Sequence, residues 1–220
     1  ELNNLALTLG SESSDLKVNN PLILDQINEK LISGAADLEL NDLLSISNGE
    51  VSSSGGEIRL NNGLDIFWWK VEFLNSRLLI WSELGSQVSL IHSGGSLLAD
   101  TSSLQLIQNL ILQSIEGFSF QSLDLNSREL SLASETSSLS LKEKLIFDLV
   151  SEKIDTGSAD LRLEGGIQMS AGEISSSGGT IALSLTADNH FQNDAVMILE
   201  NTALEPVYPD SGSAIMTLDG

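Results

Sequence analysis

The sequence predicts an all-β chain wound as a parallel β-helix, with coils of about 20 residues. Three observations predict it. The phrase "GEVSSSGGEIRLNN" (49–62) returns as "GEISSSGGTIALSL" (172–185). Around it, Gly34–Leu60 aligns with Gly157–Leu183 without a gap, 15 of 27 residues being identical at an offset of 123. Inside each copy a shorter step of 20 recurs, and the segments between turns alternate apolar and polar with period two, the mark of a strand with one buried face.

Along the chain, "LTLGSESSDLKVNNPLILDQINEK" (7–30) lies over "LSLASETSSLSLKEKLIFDLVSEK" (130–153), so the duplication extends upstream of the recurring phrase. "LISGAADLELN" (31–41) leads to "EVSSSGGEIRLNN" (50–62), and "KIDTGSADLRLEGGIQM" (153–169) leads to "EISSSGGTIALSLTADN" (173–189). In the second pair Ile154 corresponds to Ile174, Leu161 to Ile181 and Leu163 to Leu183. "LGSQVSLIH" (84–92), "EGFSFQSLDL" (116–125) and "SGSAIMTLDG" (211–220) repeat the plan of a small-residue turn followed by alternating apolar residues. A unit of this length is too short for a strand, a full helix and a second strand. It suits one coil, with Gly, Ser and Asn at the corners, where positive φ and side chain-to-backbone bonds are needed. The expected organisation is one solenoid of roughly ten coils over 1–220, made of two tandem copies at about 5–100 and 128–220. The rival reading is helical: apolar residues also fit helical spacing at "PLILDQINEKLIS" (21–33), "LQLIQNLILQSI" (104–115) and "KEKLIFDLVSEKI" (142–154), one or more of which would then be a short helix packed over a coil or capping an end, while the strand signal dominates the whole.

Composition narrows the function. Apolar residues make up 41% of the chain, enough for a sizeable core. The 31 acids against 10 bases give a net charge of −21, which repels phosphate backbones and anionic membrane surfaces and argues against a nucleic-acid partner. Without cysteine the chain has no disulfide, thiolate catalyst or Cys-based zinc site. No apolar run reaches the ~18 residues of a membrane-spanning helix. Opening at Glu1 without Met and stopping in mid-pattern at Gly220, the chain reads as a segment of a longer protein or one that has lost a targeting segment.

Few residues suggest chemistry. Trp68, Trp69 and Trp81 cluster in "LDIFWWKVEFLNSRLLIWS" (64–82); they read as a packed aromatic layer or, more sharply, as a patch that stacks on a sugar or docks a partner. Asp188, Asn189 and Asp194 in "TADNHFQND" (186–194) offer oxygen ligands for calcium, without EF-hand spacing. Apart from that, no cofactor is expected. His92 and His190 stand too far apart for a metal motif, and no GxSxG is present. The acidic pairs Asp37 and Glu39, Asp160 and Glu164, and Asp188 and Asp194 read as a solvated face; a polysaccharide-acting enzyme would need two of them across a cleft. "SSSGG" lacks the lysine of a phosphate loop and precedes a strand, so it is a corner.

Lines such as "GSADLRLEGGIQMSAGEISSSGGTIALSLTADN" resemble the repeats of filamentous-haemagglutinin-like exoproteins, large bacterial surface proteins exported by two-partner secretion and related routes. The resemblance is clearest over 31–66 and 150–190. It implies a right-handed parallel β-helix, a secreted or cell-surface location, and a structural or adhesive, non-catalytic role toward a glycan or a host or cell-surface protein. The family's export-domain motifs do not occur in this chain. The "G-x-L-x-L" strands are also similar to periplasmic AsmA- and TamB-like proteins and the N component of type II secretion, which implies an open, lipid-conducting β-groove as the alternative.

Overall fold

Inward leucines stack on inward leucines, and this fixes the architecture. In the computed structural model, which describes residues 2–66, 69–81, 87–184, 186–192, 194–207 and 216–218, strands pair in parallel with the strand three places later, save at Gly95–Leu98 and Ser122–Asp124, where the ladders break. Three strands therefore complete a coil, and the chain is a parallel β-solenoid. The third face is one unbroken sheet of nine strands: Leu22–Leu24, Leu44–Ile46, Leu64–Ile66, Gln87–His92, Asn109–Ser114, Glu129–Leu132, Lys153–Asp155, Glu173–Ser176 and Val196–Leu199. Along it Leu22, Leu44, Leu64, Leu90, Leu112 and Leu132 form one column, all buried. At about 1.5–3 kcal/mol for each fully buried aliphatic side chain, such columns supply the main favourable term of the fold.

The other two faces are each divided. The first face carries Ala6–Thr8, Lys30–Gly34, Glu50–Ser53, Trp69–Phe73 and Gly95–Leu98, and then, as a separate sheet, Phe118–Phe120, Leu139–Leu141, Leu161–Leu163, Thr180–Ser184 and Ala203–Val207. The second face runs from Leu16–Val18 through Leu38–Leu40, Glu57–Asn61, Arg77–Trp81 and Ser103–Leu106 to Ser122–Asp124, and resumes at Leu145–Phe147, Ile167–Met169, Asn189–Phe191 and Met216–Leu218. Coil length varies: Leu44 pairs with Leu64, 20 residues on, whereas Leu64 pairs with Leu90, 26 residues on.

The described residues contain no helix. The three stretches with helical spacing are strands and turns instead. Leu22 and Leu24 point inward and Ile23 outward, and Leu145, Ile146 and Phe147 repeat this. The apolar residues that completed the helical pattern, Ile27 and Val150, are exposed at turns. A buried carboxylate organises each of these turns. Glu29 accepts the amides of Asp25 (2.9 Å) and Gln26 (3.2 Å), and Glu152 accepts those of Asp148 (2.8 Å) and Leu149 (3.1 Å).

Burial pushes the Glu29 carboxyl up, but the amides of Asp25, Gln26, Asn4 and Asn3 outweigh it and leave its pKa below the ordinary value. A depressed carboxylate pKa adds stability that is present above the unfolded-state value of about 4.3 and is lost as pH falls through the folded value. Melting temperatures measured from pH 6 to pH 2.5 should show this. Glu29→Gln should lose stability at pH 6, and its difference from the parent should narrow below pH 4. A difference that stays constant with pH would contradict the assignment.

The duplication holds down to single contacts. Lys30 pairs with Glu50 (2.7 Å) as Lys153 does with Glu173 (2.9 Å). Ser53 Oγ donates to the Gly55 carbonyl (2.7 Å) as Ser176 Oγ does to that of Gly178 (2.6 Å). Asp37 caps the Glu57 amide (2.8 Å) as Asp160 caps that of Thr180 (2.7 Å). Yet the copies are not stacked by simple translation. Lys30–Gly34 lies on the first face, and its counterpart Lys153–Asp155 lies on the third. Leu22–Leu24 lies on the third face, and its counterpart Leu145–Phe147 lies on the second. The second copy is thus turned by one face, a third of a turn about the axis.

Candidate functional site

The division of the first face leaves an opening. Gly95–Leu98 pairs only with Trp69–Phe73, and Phe118–Phe120 only with Leu139–Leu141, so no ladder joins these consecutive coils among the described residues. The opening is bounded at both ends. Before it, the Ile115 amide donates to the His92 carbonyl (3.2 Å); after it, the Gln121 amide donates to the Ser102 carbonyl (2.9 Å). The result is a slit rather than a split in the rod.

A cleft of about 620 Å³ begins at the slit and continues over the outer surface of the next coils. Its floor is apolar: Leu97, Phe118 and Leu139. Leu97 is in register with the buried Val71 and faces the interior, yet it is only partly buried, so the slit exposes an edge of the core. One wall is the turn 114–117. There Ser114 Oγ accepts the amides of Glu116 (3.0 Å) and Gly117 (2.9 Å) and meets His92 Nδ1 at 3.0 Å. The buried His92 ring lies 6.4 Å from that of Phe118. Beyond the slit, outward-facing Ser119, Ser140, Arg162, Ala182 and Glu205 follow one another in register.

The mouth is acidic. Glu116, Asp160 and Glu205 line it against a single guanidinium, that of Arg162, which itself donates to Glu164 (3.0 Å). The second face shows the contrasting case, a neutralised surface. Lys17 pairs with Glu39 (2.6 Å), Glu57 binds both Arg59 and Arg77, and Gln105 links Arg77 to Asp124. Lys17 holds the Glu39 carboxyl below its usual range against the opposing effect of burial. Exposed pairs of this kind contribute about 0–1 kcal/mol each, so they decorate the register that the core columns set.

The residues singled out in the sequence lie elsewhere. Trp68 is outside the described residues. Trp69 and Trp81 belong to the strands Trp69–Phe73 and Arg77–Trp81, and their side chains are likewise outside the description. Asn189 is buried as a corner tie: its Oδ1 accepts the Ile167 amide (3.1 Å), and its Nδ2 donates to the carbonyls of Ser184 (2.6 Å) and Ala187 (3.2 Å). Asp188 and Asp194 are exposed. Among the described residues no three His, Asp or Glu side chains are grouped to hold a metal ion. Of the acidic pairs, only Asp160 reaches the cleft.

Sequence reasoning missed the slit. Its signal was a polar interruption in an inward column: Ile46 and Ile66 are followed in register by His92 and Ser114. Comparison with protein-family models, with curated proteins and with solved structures gave no significant match. The fold and the cleft therefore carry the functional reading.

Proposed function

We propose that the chain is a structural and adhesive segment of a secreted or cell-surface bacterial protein, of the filamentous-haemagglutinin-like kind, and that it is not a catalyst. The observation that carries this reading is the uninterrupted nine-stranded parallel ladder of the third face over one continuous apolar core. Such a ladder sets length by coil number and leaves the outer surface free for recognition. The net charge of −21 suits a surface in contact with water and cations. Partners on this reading are a glycan or another surface protein, and export follows the two-partner route.

Antibodies raised against the folded chain test the location. Intact cells of the source organism should be labelled, and protease added to them should remove the label. Labelling only after the outer membrane is permeabilised would overturn the surface assignment and favour the periplasmic, lipid-conducting reading. One observation favours that alternative, the half-buried Leu97 at the slit. Against it stands an interior that is filled, among the described residues, by side chains such as Phe73, Phe120 and Phe147, where an acyl chain would need open space.

A further inference from the structure

We propose that the cleft takes a linear β-1,4-linked amino-sugar chain, laid along the solenoid axis over the outside of the second first-face sheet. The inference rests on the adhesive reading above and names its ligand. Five consecutive coils build the cleft. Outward-facing Ser119, Ser140, Arg162, Ala182 and Glu205 stand one per coil in register, so the row is about 19 Å long at ~4.8 Å per step. Short side chains at Ser119, Ser140 and Ala182 leave the cleft open along the row.

Carboxylates recur in every second coil. Glu116 precedes Phe118–Phe120 in the first coil, Asp160 precedes Leu161–Leu163 in the third, and Glu205 lies in Ala203–Val207, the fifth. All three residues are exposed. The coils between them present hydroxyls, Ser138 and Ser140 in the second and Thr180 in the fourth.

This repeat selects the ligand. A β-1,4-linked pyranose chain in its flat twofold form advances by nearly one strand spacing per sugar and turns the same edge to the surface at every second sugar. Ammonium groups on that edge recur about every 10 Å, in step with the carboxylate-bearing coils. The alternate sugars offer hydroxyls to Ser140 and Thr180. An extended peptide repeats its side chains about every 6.6 Å on one face and falls out of step with the coils. Anionic glycans are repelled by the three carboxylates and by the −21 charge of the chain. The Arg162 guanidinium, already donating to Glu164, offsets this only in part.

The test is isothermal titration calorimetry with the β-1,4-glucosamine hexamer at pH 5.5, where its amines are protonated and ordinary carboxylates are ionised. The hexamer should bind at least tenfold tighter than the N-acetylated hexamer, which lacks the cations, and than hexalysine, which lacks the sugars. Asp160→Asn keeps an oxygen to accept the Thr180 amide and should weaken binding severalfold. Glu12→Gln, an equal loss of charge on an exposed residue of the first turn of the solenoid, should leave binding unchanged. Ala182→Trp fills the row from its outward side and should weaken binding at least tenfold while the melting temperature stays within a few degrees. Should that variant unfold, Glu205→Gln decides, with a severalfold loss expected.

No binding of the glucosamine hexamer would overturn the proposal. Equal affinity for hexalysine, or an equal loss from Glu12→Gln and Asp160→Asn, would reduce the effect to charge attraction and overturn it too. So would unchanged binding by a folded Ala182→Trp. These outcomes leave the surface assignment standing, since that is read from the labelling of intact cells.

Discussion

Leu161→Asp is expected to abolish the cooperative thermal transition. Leu161 is fully buried, stacked between Leu139 in the preceding coil and Ile181 in the following one. An aspartate there has no cation beside it and no free amide to accept, because the neighbouring backbone groups are used by the ladder. Removing the leucine alone costs about 2–5 kcal/mol in a packed core. The carboxyl must also be buried ionised or protonated at a further cost, so the total exceeds about 5 kcal/mol, a large part of the 5–15 kcal/mol typical of a folded domain. The adjacent Arg162 points outward and is half exposed, and Arg162→Gln should change stability by less than about 1 kcal/mol. Circular dichroism melts of the two variants read the period-two alternation directly. A Leu161→Asp variant that melts within a few degrees of the parent would show that the inward register is wrong.

The second large effect lies at the recurring corner. Gly56 and Gly179 occupy the same place in the two copies, with φ of +77° and +70°. A Cβ on Gly56 would lie 2.7 Å from the carbonyl oxygens of Ala35 and Ala36. On Gly179 it would lie 2.6 and 2.7 Å from those of Ser158 and Ala159. These atoms belong to the backbone of the coil below, so they cannot step aside. An alanine at either position meets left-handed strain of about 1–2 kcal/mol and overpacking of about 1–3 kcal/mol. Each single variant should therefore lose about 2–5 kcal/mol. The sites share no partner, so the double variant should lose roughly the sum. Parent-like melting of Gly56→Ala would contradict the close approach of the coils.

These two sites also show what the sequence made legible. The alternation "ADLRLEG" identified Leu161 and Leu163 as inward, and the kept "SSSGG" identified a corner, because period two and positive φ both act within a few residues. Ile27 and Val150 misled toward helix because an exposed apolar residue at a turn contributes to helical spacing as well as a buried one does. The turn is made by Glu29 and Glu152 reaching back three and four residues, a capping geometry that hydrophobic pattern does not encode.

Least legible was the cleft. Whether two consecutive coils pair depends on how Gly95–Leu98 and Phe118–Phe120 are offset in space, and both read in sequence as ordinary strands. The rotation of the second copy was hidden for a related reason. An offset of 123 residues states that a phrase recurs, but only the number of strands between the copies decides which face it returns to. Between Lys30–Gly34 and Lys153–Asp155 that number is not a whole number of coils.

The central claim is that both copies share one solenoid, the second turned by one face, and site-specific labelling tests it most directly. The chain has no cysteine, so pyrene can be placed wherever a cysteine is introduced. Ser131 is the counterpart of Thr8. Turned by one face, it stands in register with Ile111 on the third face, one strand spacing of about 4.8 Å away. Stacked without turning, it would continue the outward first-face column that runs from Thr8 through Ile32, Ser52 and Glu72 to Leu98. Pyrene on Ile111→Cys/Ser131→Cys should give strong excimer emission, and pyrene on Leu98→Cys/Ser131→Cys should give monomer emission alone. The reverse pattern, or no excimer from either pair, would contradict the single turned solenoid.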